Sequence, residues 1–177
     1  MTIEAFLAQQ RAVLQLGRGA TLVIVLTEHA PDEVMRWKPA PECWSMLEVV
    51  NHLADVEAFD FRARVERTLN DPAEVWPSID PQSWVVSREY NTREPKESVE
   101  RFLAQRKTSL DWLRALKDAA WGNVHEHARL GPMSARMLLA NWIAHDLLHA
   151  RQLLRLHYES LALRTAPESL DYAGPWS

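Results

Sequence analysis

Residues 141–152 read N-W-I-A-H-D-L-L-H-A-R-Q, and the periodicity of this stretch decides how the rest of the chain is read. On an α-helix, residues four apart lie one above another, so Asn141, His145, His149 and, nearly in line, Gln152 form one polar column. Ile143, Leu147, Leu148, Leu153 and Leu154 occupy the other faces. A polar column in so apolar a helix needs an explanation, because burying unpaired polar groups is unfavourable. Two histidines at this spacing can turn ring nitrogens onto one metal ion, about 2.0 to 2.1 Å from each. With 7 histidines in 177 residues such a pair arises easily by chance, so a third ligand is required.

A second amphipathic segment supplies one. In S-M-L-E-V-V-N-H-L-A-D-V-E, Ser45 and Glu48 form a capping box, in which each side chain satisfies the other residue's backbone donor. The pattern predicts a helix from Met46 to Leu69 with Val49, His52, Val56 and Phe59 facing inward. Ser134 is the predicted N-cap of the helix that carries the column, which runs to about Tyr158. Upstream, the segment from about residue 2 to 28 contains Gly17 and Gly19, each costing a helix about 1 kcal/mol relative to alanine, and a β-branched run, L-V-I-V-L. With no second strand for that run to pair with, it reads as helix. A helical turn begins at Pro31, and Pro39 and Pro41 enforce a connection.

Pro95 suits the first turn of a third long helix, from about Lys96 to Lys117, with Val99, Phe102, Leu103, Arg106, Leu110 and Leu113 at helical spacing. The stretch before it, N-D-P-A-E-V-W-P-S-I-D-P-Q-S-W, opens a connection of about 25 residues, far longer than usual in a compact domain. It therefore reads as a crossover between helices that are not antiparallel neighbours, or as a lid. W-G-N-V-H-E-H-A-R-L-G-P reads as loop, and the tail from about residue 159 to 177 as irregular. The whole, residues 1–177, is expected to be a single all-α domain: a four-helix bundle with its crossover between the second and third helices. The interior of that bundle is where His52, His145 and His149 would meet.

Composition narrows the partners. A net charge of -4 with acidic and basic residues interspersed offers no basic stripe for nucleic acid or anionic lipid, which points to a small-molecule partner or another protein. The lone cysteine, Cys43, forms no internal bridge and reads as small apolar filler. No run approaches the roughly 18 apolar residues of a membrane span, and M-T-I-E-A-F-L-A-Q-Q lacks a signal-peptide pattern. A cytoplasmic location is expected.

Three neutral imidazoles would leave a divalent ion with open positions and nearly its full charge, which acidifies a water or thiol that binds next. The ligand type suits zinc, nickel, iron(II), manganese or copper(II) alike. The zinc-peptidase pattern H-E-x-x-H is absent, since Asp146 follows His145. Glu48, Asp55, Asn141 and Gln152 are candidates to orient the ligand rings. His125 and His127 read as solvated loop histidines, Trp76 and Trp84 on the crossover are candidates to line the pocket, and Asp80 is a candidate acid near the metal. Arg151 is read as a solvated helix-face residue with anion binding as the alternative. No catalytic acid or base is assigned.

W-K-P-A-P-E-C-W-S-M-L-E-V-V-N-H-L-A-D-V-E, I-D-P-Q-S-W and G-P-M-S-A-R-M-L-L-A-N-W-I-A-H-D-L-L-H-A-R-Q-L together resemble the DinB/YfiT-like superfamily of four-helix metalloproteins, over about residues 22 to 156. The resemblance implies an up-down-down-up bundle, a homodimer, and a divalent metal on His52, His145 and His149. Characterised relatives include transferases that use a low-molecular-weight thiol, so the expected function is a small-thiol-dependent S-transferase or a related metal-dependent hydrolase. The alternative is a non-catalytic metal-binding bundle serving stress response or protein interaction. Ala150 and Arg151, ahead of Gln152, depart mildly from the family pattern.

Overall fold

A computed structural model describes residues 3–176, with side chains from residue 8 onward. Its helices are α1 (Ile3–Thr27), α2 (Asp32–Arg36), α3 (Met46–Val56), α4 (Arg62–Asn70), α5 (Pro81–Ser87), α6 (Pro95–Ala115) and α7 (Ala135–Thr165). Helices α3 and α4 are one rod joined by a π-helical turn, Glu57–Phe61. That rod, α1, α6 and α7 make a four-helix bundle, in which α1 packs on α6 and α7 while α3 packs on α6. No helix among the described residues is long and apolar enough to cross a membrane.

Both predicted caps are present. Ser45 Oγ accepts the Glu48 N–H at 3.1 Å while Glu48 Oε2 accepts the Ser45 N–H at 2.8 Å. Ser134 Oγ accepts the Met137 N–H at 3.1 Å and opens α7, and Pro95 sits at the first turn of α6.

Four features differ from the sequence reading. The rod is not a uniform α-helix: the Arg62 N–H bonds to the Glu57 carbonyl five residues back, and the extra residue shifts the register beyond it. Phe59, predicted to face inward, is 52% exposed, and Val65 and Thr68 are buried instead. Residues 121–132 are not simply loop, because Val124–His127 (β1) pairs antiparallel with Gly131–Ser134 (β2), Gly131 closing the turn at φ +73°. Helix α7 continues past Tyr158 to Thr165, so the irregular tail begins later than expected. The crossover contains α5 and a 3₁₀ turn, Tyr90–Thr92.

The apolar core is split in two, and each long helix passes from one part to the other. One part includes Ala20 and Val23 of α1, Phe102 of α6, and Leu153 and Leu156 of α7. The other includes Ala12 and Leu16, Val65, Leu113, Leu138 and Trp142. Between them along the chain stand Gly19, Glu57, Arg106 and Asp146, and these form a buried polar layer. Arg106 donates from Nε and Nη2 to the two Glu57 oxygens at 2.8 Å each, from Nη1 and Nη2 to Asp146 at 2.6 and 2.8 Å, and from Nη1 to the Leu16 carbonyl at 2.6 Å. All five guanidinium hydrogens are used. Trp142 Nε1–H adds a bond to Glu57 Oε2 at 2.9 Å.

Gly19 is where α1 makes room for this layer. A Cβ there would lie 2.2 Å from Asp146 Oδ2, whereas one at Gly17 would meet nothing within 4 Å. Gly17→Ala is therefore expected to stabilise the protein by up to about 1 kcal/mol through helix propensity. Gly19→Ala is expected to destabilise it by about 1–3 kcal/mol through overpacking. Urea unfolding of the pair checks this, and equal responses would remove the steric reading of Gly19.

Candidate metal centre

His52 projects from α3, and His145 and His149 from successive turns of α7. Their three side chains bring one nitrogen each to within 4.8 Å of one another. His145 Nε2 lies 3.4 Å from His52 Nε2 and 3.2 Å from His149 Nε2. Nitrogens arranged tetrahedrally at 2.0 to 2.1 Å from an ion are about 3.3 to 3.4 Å apart. The donor set, and the two separations from His145, therefore fit a divalent metal.

Tautomer and charge also fit. Gln152 Oε1 accepts the His149 Nδ1–H at 2.8 Å, which leaves the Nε2 lone pair facing the other two rings. Burial, and then the neighbouring His149, push His52 down to about 3, against a smaller opposing effect of Asp55. Burial, the other two rings and Arg106 push His145 to about 3 as well. Burial also lowers His149, opposed by the Gln152 hydrogen bond. All three are neutral donors near pH 7. His52 Nδ1 and His145 Nδ1 are buried without a partner among the described residues. Their rings are instead positioned by packing, with Trp44 4.9 Å from His52 and Phe61 4.9 Å from His145, centroid to centroid.

Of the residues expected to orient the rings, only Gln152 does so. Glu48 is taken up by its cap and by Lys38 Nζ at 2.6 Å. Asp55 faces away into a cluster with Arg88, Tyr90 and Arg101. Burial alone would raise the Asp55 pKa, but the Tyr90 hydroxyl and the two arginines hold it below its usual value. Asn141 is exposed and donates to the Met137 carbonyl. If Gln152 sets the ligand tautomer, Gln152→Ala is expected to weaken zinc binding about 10–100-fold without changing the fold, as read by competition with a chromophoric chelator.

The rings form part of the wall of a cleft of about 560 Å³, which Cys43, Trp44, Asp60, Phe61, Pro81 and Gln82 also line. Trp76, Trp84 and Asp80 do not line it. Trp84 packs against Arg88 and Phe59, and Asp80 caps α5 through the Ser83 N–H. Arg151 is exposed outside the cleft. His125 is not a solvated loop residue: it lies on β1, is 8% exposed and stacks on Trp76.

Asp60 escaped the sequence reading. It follows from the π turn, which a uniform helical register conceals. Its carboxylate pairs with Arg64 at 2.9 Å, yet burial raises its pKa above the ordinary carboxylate value, Arg64 only partly opposing the shift. It is the acidic side chain of this cleft whose environment favours taking up a proton.

Comparison with known proteins agrees with the fold. The family description "DinB superfamily" matches residues 15–153. The chain belongs to the DinB superfamily. Among solved structures, this DinB protein is similar to YfiT from Bacillus subtilis, described as a probable metal-dependent hydrolase with an unusual four-helix bundle topology. The two superpose with a TM-score of 0.76 at 17% identity over 90% of each chain, which establishes the shared fold. No curated protein sequence matches the chain.

Proposed function

We propose that this DinB protein is a divalent-metal-dependent enzyme that activates a small nucleophile at His52, His145 and His149 and delivers it to an electrophile in the adjoining cleft. The observation that carries this reading is the convergence of three neutral imidazoles, with His145 Nε2 3.4 and 3.2 Å from the Nε2 atoms of His52 and His149, in the wall of a cleft large enough for a small molecule. A divalent ion held there would supply Lewis acidity, lowering the pKa of a thiol or water that binds it. The remaining work falls to the chain. Asp60 takes the proton released by the nucleophile and returns it to the leaving group. Trp44, Phe61 and Pro81 exclude bulk water around them, which strengthens every charge interaction in the cleft.

A low-molecular-weight thiol is the first nucleophile to test, making the protein an S-transferase. Water in the same position would make it a hydrolase, the reading that the description of YfiT favours. We also expect a cytoplasmic homodimer, for which the exposed Leu147, Leu154 and Leu161 offer an apolar strip along α7.

The test is a panel of small thiols with electrophilic acceptors and a panel of activated esters, each run with and without added zinc, nickel, iron(II) or manganese. Metal-dependent turnover should vanish in His145→Ala. In Asp60→Asn it should fall about 10²–10⁴-fold with metal content unchanged. One ion per chain without turnover in either panel would leave a non-catalytic metal-binding bundle.

A further inference from the structure

Beside the metal cleft lies a second one, of about 450 Å³. Gln152 and Arg155 of α7 line both, so the helix forms the ridge between them, while Leu148, Arg151 and Trp176 line only the second. The tail of the chain is held here by Trp176, which stacks on Tyr158 with ring centroids 4.7 Å apart at 19°. Helical rise sets Arg155 about 9 Å beyond His149 along the α7 axis.

The polar groups along this ridge are donors, and they are open to solvent. Gln152 turns its Oε1 to His149 Nδ1–H, which leaves its amide hydrogens without a partner among the described residues. Arg155, whose side chain is 60% exposed, donates from Nε to Glu159 Oε1 at 2.6 Å. That contact orients the guanidinium plane and leaves the Nη1–Nη2 edge free, so a second bidentate contact needs little further ordering. Arg151 is exposed and has no partner among the described residues.

The charges are unbalanced. Arg151 and Arg155 stand four residues apart on one helix, where like charges repel. Of the acids nearby, Glu159 is already engaged by Arg155, and Glu42 and Asp60 line the metal cleft but not this one. No acidic side chain lines the second cleft.

We infer that this ridge is the carboxylate subsite of the molecule that reacts at the three histidines. The carboxylate docks on the Nη1–Nη2 edge of Arg155 with Arg151 beside it, Leu148 and Trp176 give its apolar part a floor, and Gln152 donates to the stretch that leads back to the metal cleft. A carboxylate has acceptor sites only and matches a guanidinium edge through two parallel bonds. It also relieves the repulsion between the two arginines, which a neutral or cationic group does not. The link to the histidines rests on the metal-dependent reading above, whereas the carboxylate subsite itself does not require the metal.

The experiment therefore has two arms. In zinc-loaded protein, calorimetric titration compares 6-mercaptohexanoate, long enough to span from the histidines to Arg155, with the neutral 6-mercaptohexanol and with hexanoate. The mercapto acid should bind about tenfold tighter than the mercapto alcohol, the low end for a hydrogen bond to a charged group because the arginines are exposed. Arg155→Gln should make the two equal, and Lys117→Gln, the same change of net charge on α6 away from this cleft, should not. In metal-free protein, hexanoate should shift the Trp176 indole N–H signal saturably in ¹H–¹⁵N NMR, with Trp176→Phe identifying the signal, and 1-hexanol should bind about tenfold more weakly. Equal binding of acid and alcohol, an acid preference that survives Arg155→Gln, or a Trp176 signal that hexanoate leaves unmoved would each overturn the inference. A mercapto acid that binds zinc-loaded protein no better than hexanoate, with the acid preference intact, would instead overturn the metal-dependent reading and leave the carboxylate subsite standing.

Discussion

Replacing Arg106 with methionine is expected to destabilise the domain by about 3–5 kcal/mol, a large part of the roughly 5–15 kcal/mol that holds a typical domain together. Arg106 joins Glu57, Asp146 and the α1 backbone at Leu16, so it ties together all four long helices of the bundle. Burial works against its charge, but Glu57 and Asp146 outweigh that and hold the guanidinium firmly protonated. Methionine keeps some of the volume and removes all five donors. Two carboxylates are then left buried with one indole N–H between them, and leaving a buried charge uncompensated is the costly half of breaking an ion pair. For a domain of this size the midpoint temperature should fall by roughly 6–20 °C. Adding Glu57→Gln and Asp146→Asn should recover part of the loss, because neutral amides need no counter-ion. A loss below about 1 kcal/mol for Arg106→Met, measured in urea, would mean that the layer is hydrated and not structural.

The same layer shows what the sequence could and could not say. His52, His145 and His149 were legible because each lies on a regular stretch of helix, where spacing translates directly into a face. Arg106 could be placed at an inward position by the same rule, but its partners are distant in sequence, and helical spacing says nothing about which distant residues meet. Gly19 looked like a weak point of α1 and is explained only by Asp146 arriving from another helix. The π turn is the other limit. It adds a residue without any glycine or proline to announce it, and every position after Val56 slips against the expected face. Phe59 was assigned inward on that account, and Asp60 was never considered. Glu48 and Asp55 stand near His52 in sequence but have stronger claims elsewhere, one from a helix cap and the other from two arginines. The hairpin was missed because V-H-E-H and G-P-M-S are too short and too polar to stand out as strands. They gain their stability from Trp121 and Met133 packing in the core beside Trp142.

The second large effect is expected at acid pH. In the folded metal-free protein His52 and His145 are pushed from 6.5 to about 3, while in the unfolded chain they regain ordinary imidazole values. Between those limits the unfolded chain takes up protons that the folded protein refuses. Stability is therefore whole above about pH 6.5 and declines as pH falls towards 3, by up to about 1.4 kcal/mol per pH unit for each ring. The same linkage separates a metal centre from ordinary core histidines. At pH 7.5, zinc at about a thousand times its dissociation constant should add about 4 kcal/mol, raising the midpoint temperature by roughly 10 °C. His52→Leu should abolish that gain, yet at pH 5 and without metal it should be more stable than the wild type. It has replaced a ring that resists protonation with an apolar side chain suited to burial. Circular dichroism melts of both proteins at the two pH values, with and without zinc, give the full comparison. Ordinary hydrogen-bonded core histidines behave otherwise: their loss is unfavourable at both pH values, and zinc changes nothing. That pattern would remove the physical basis for a metal at these three residues.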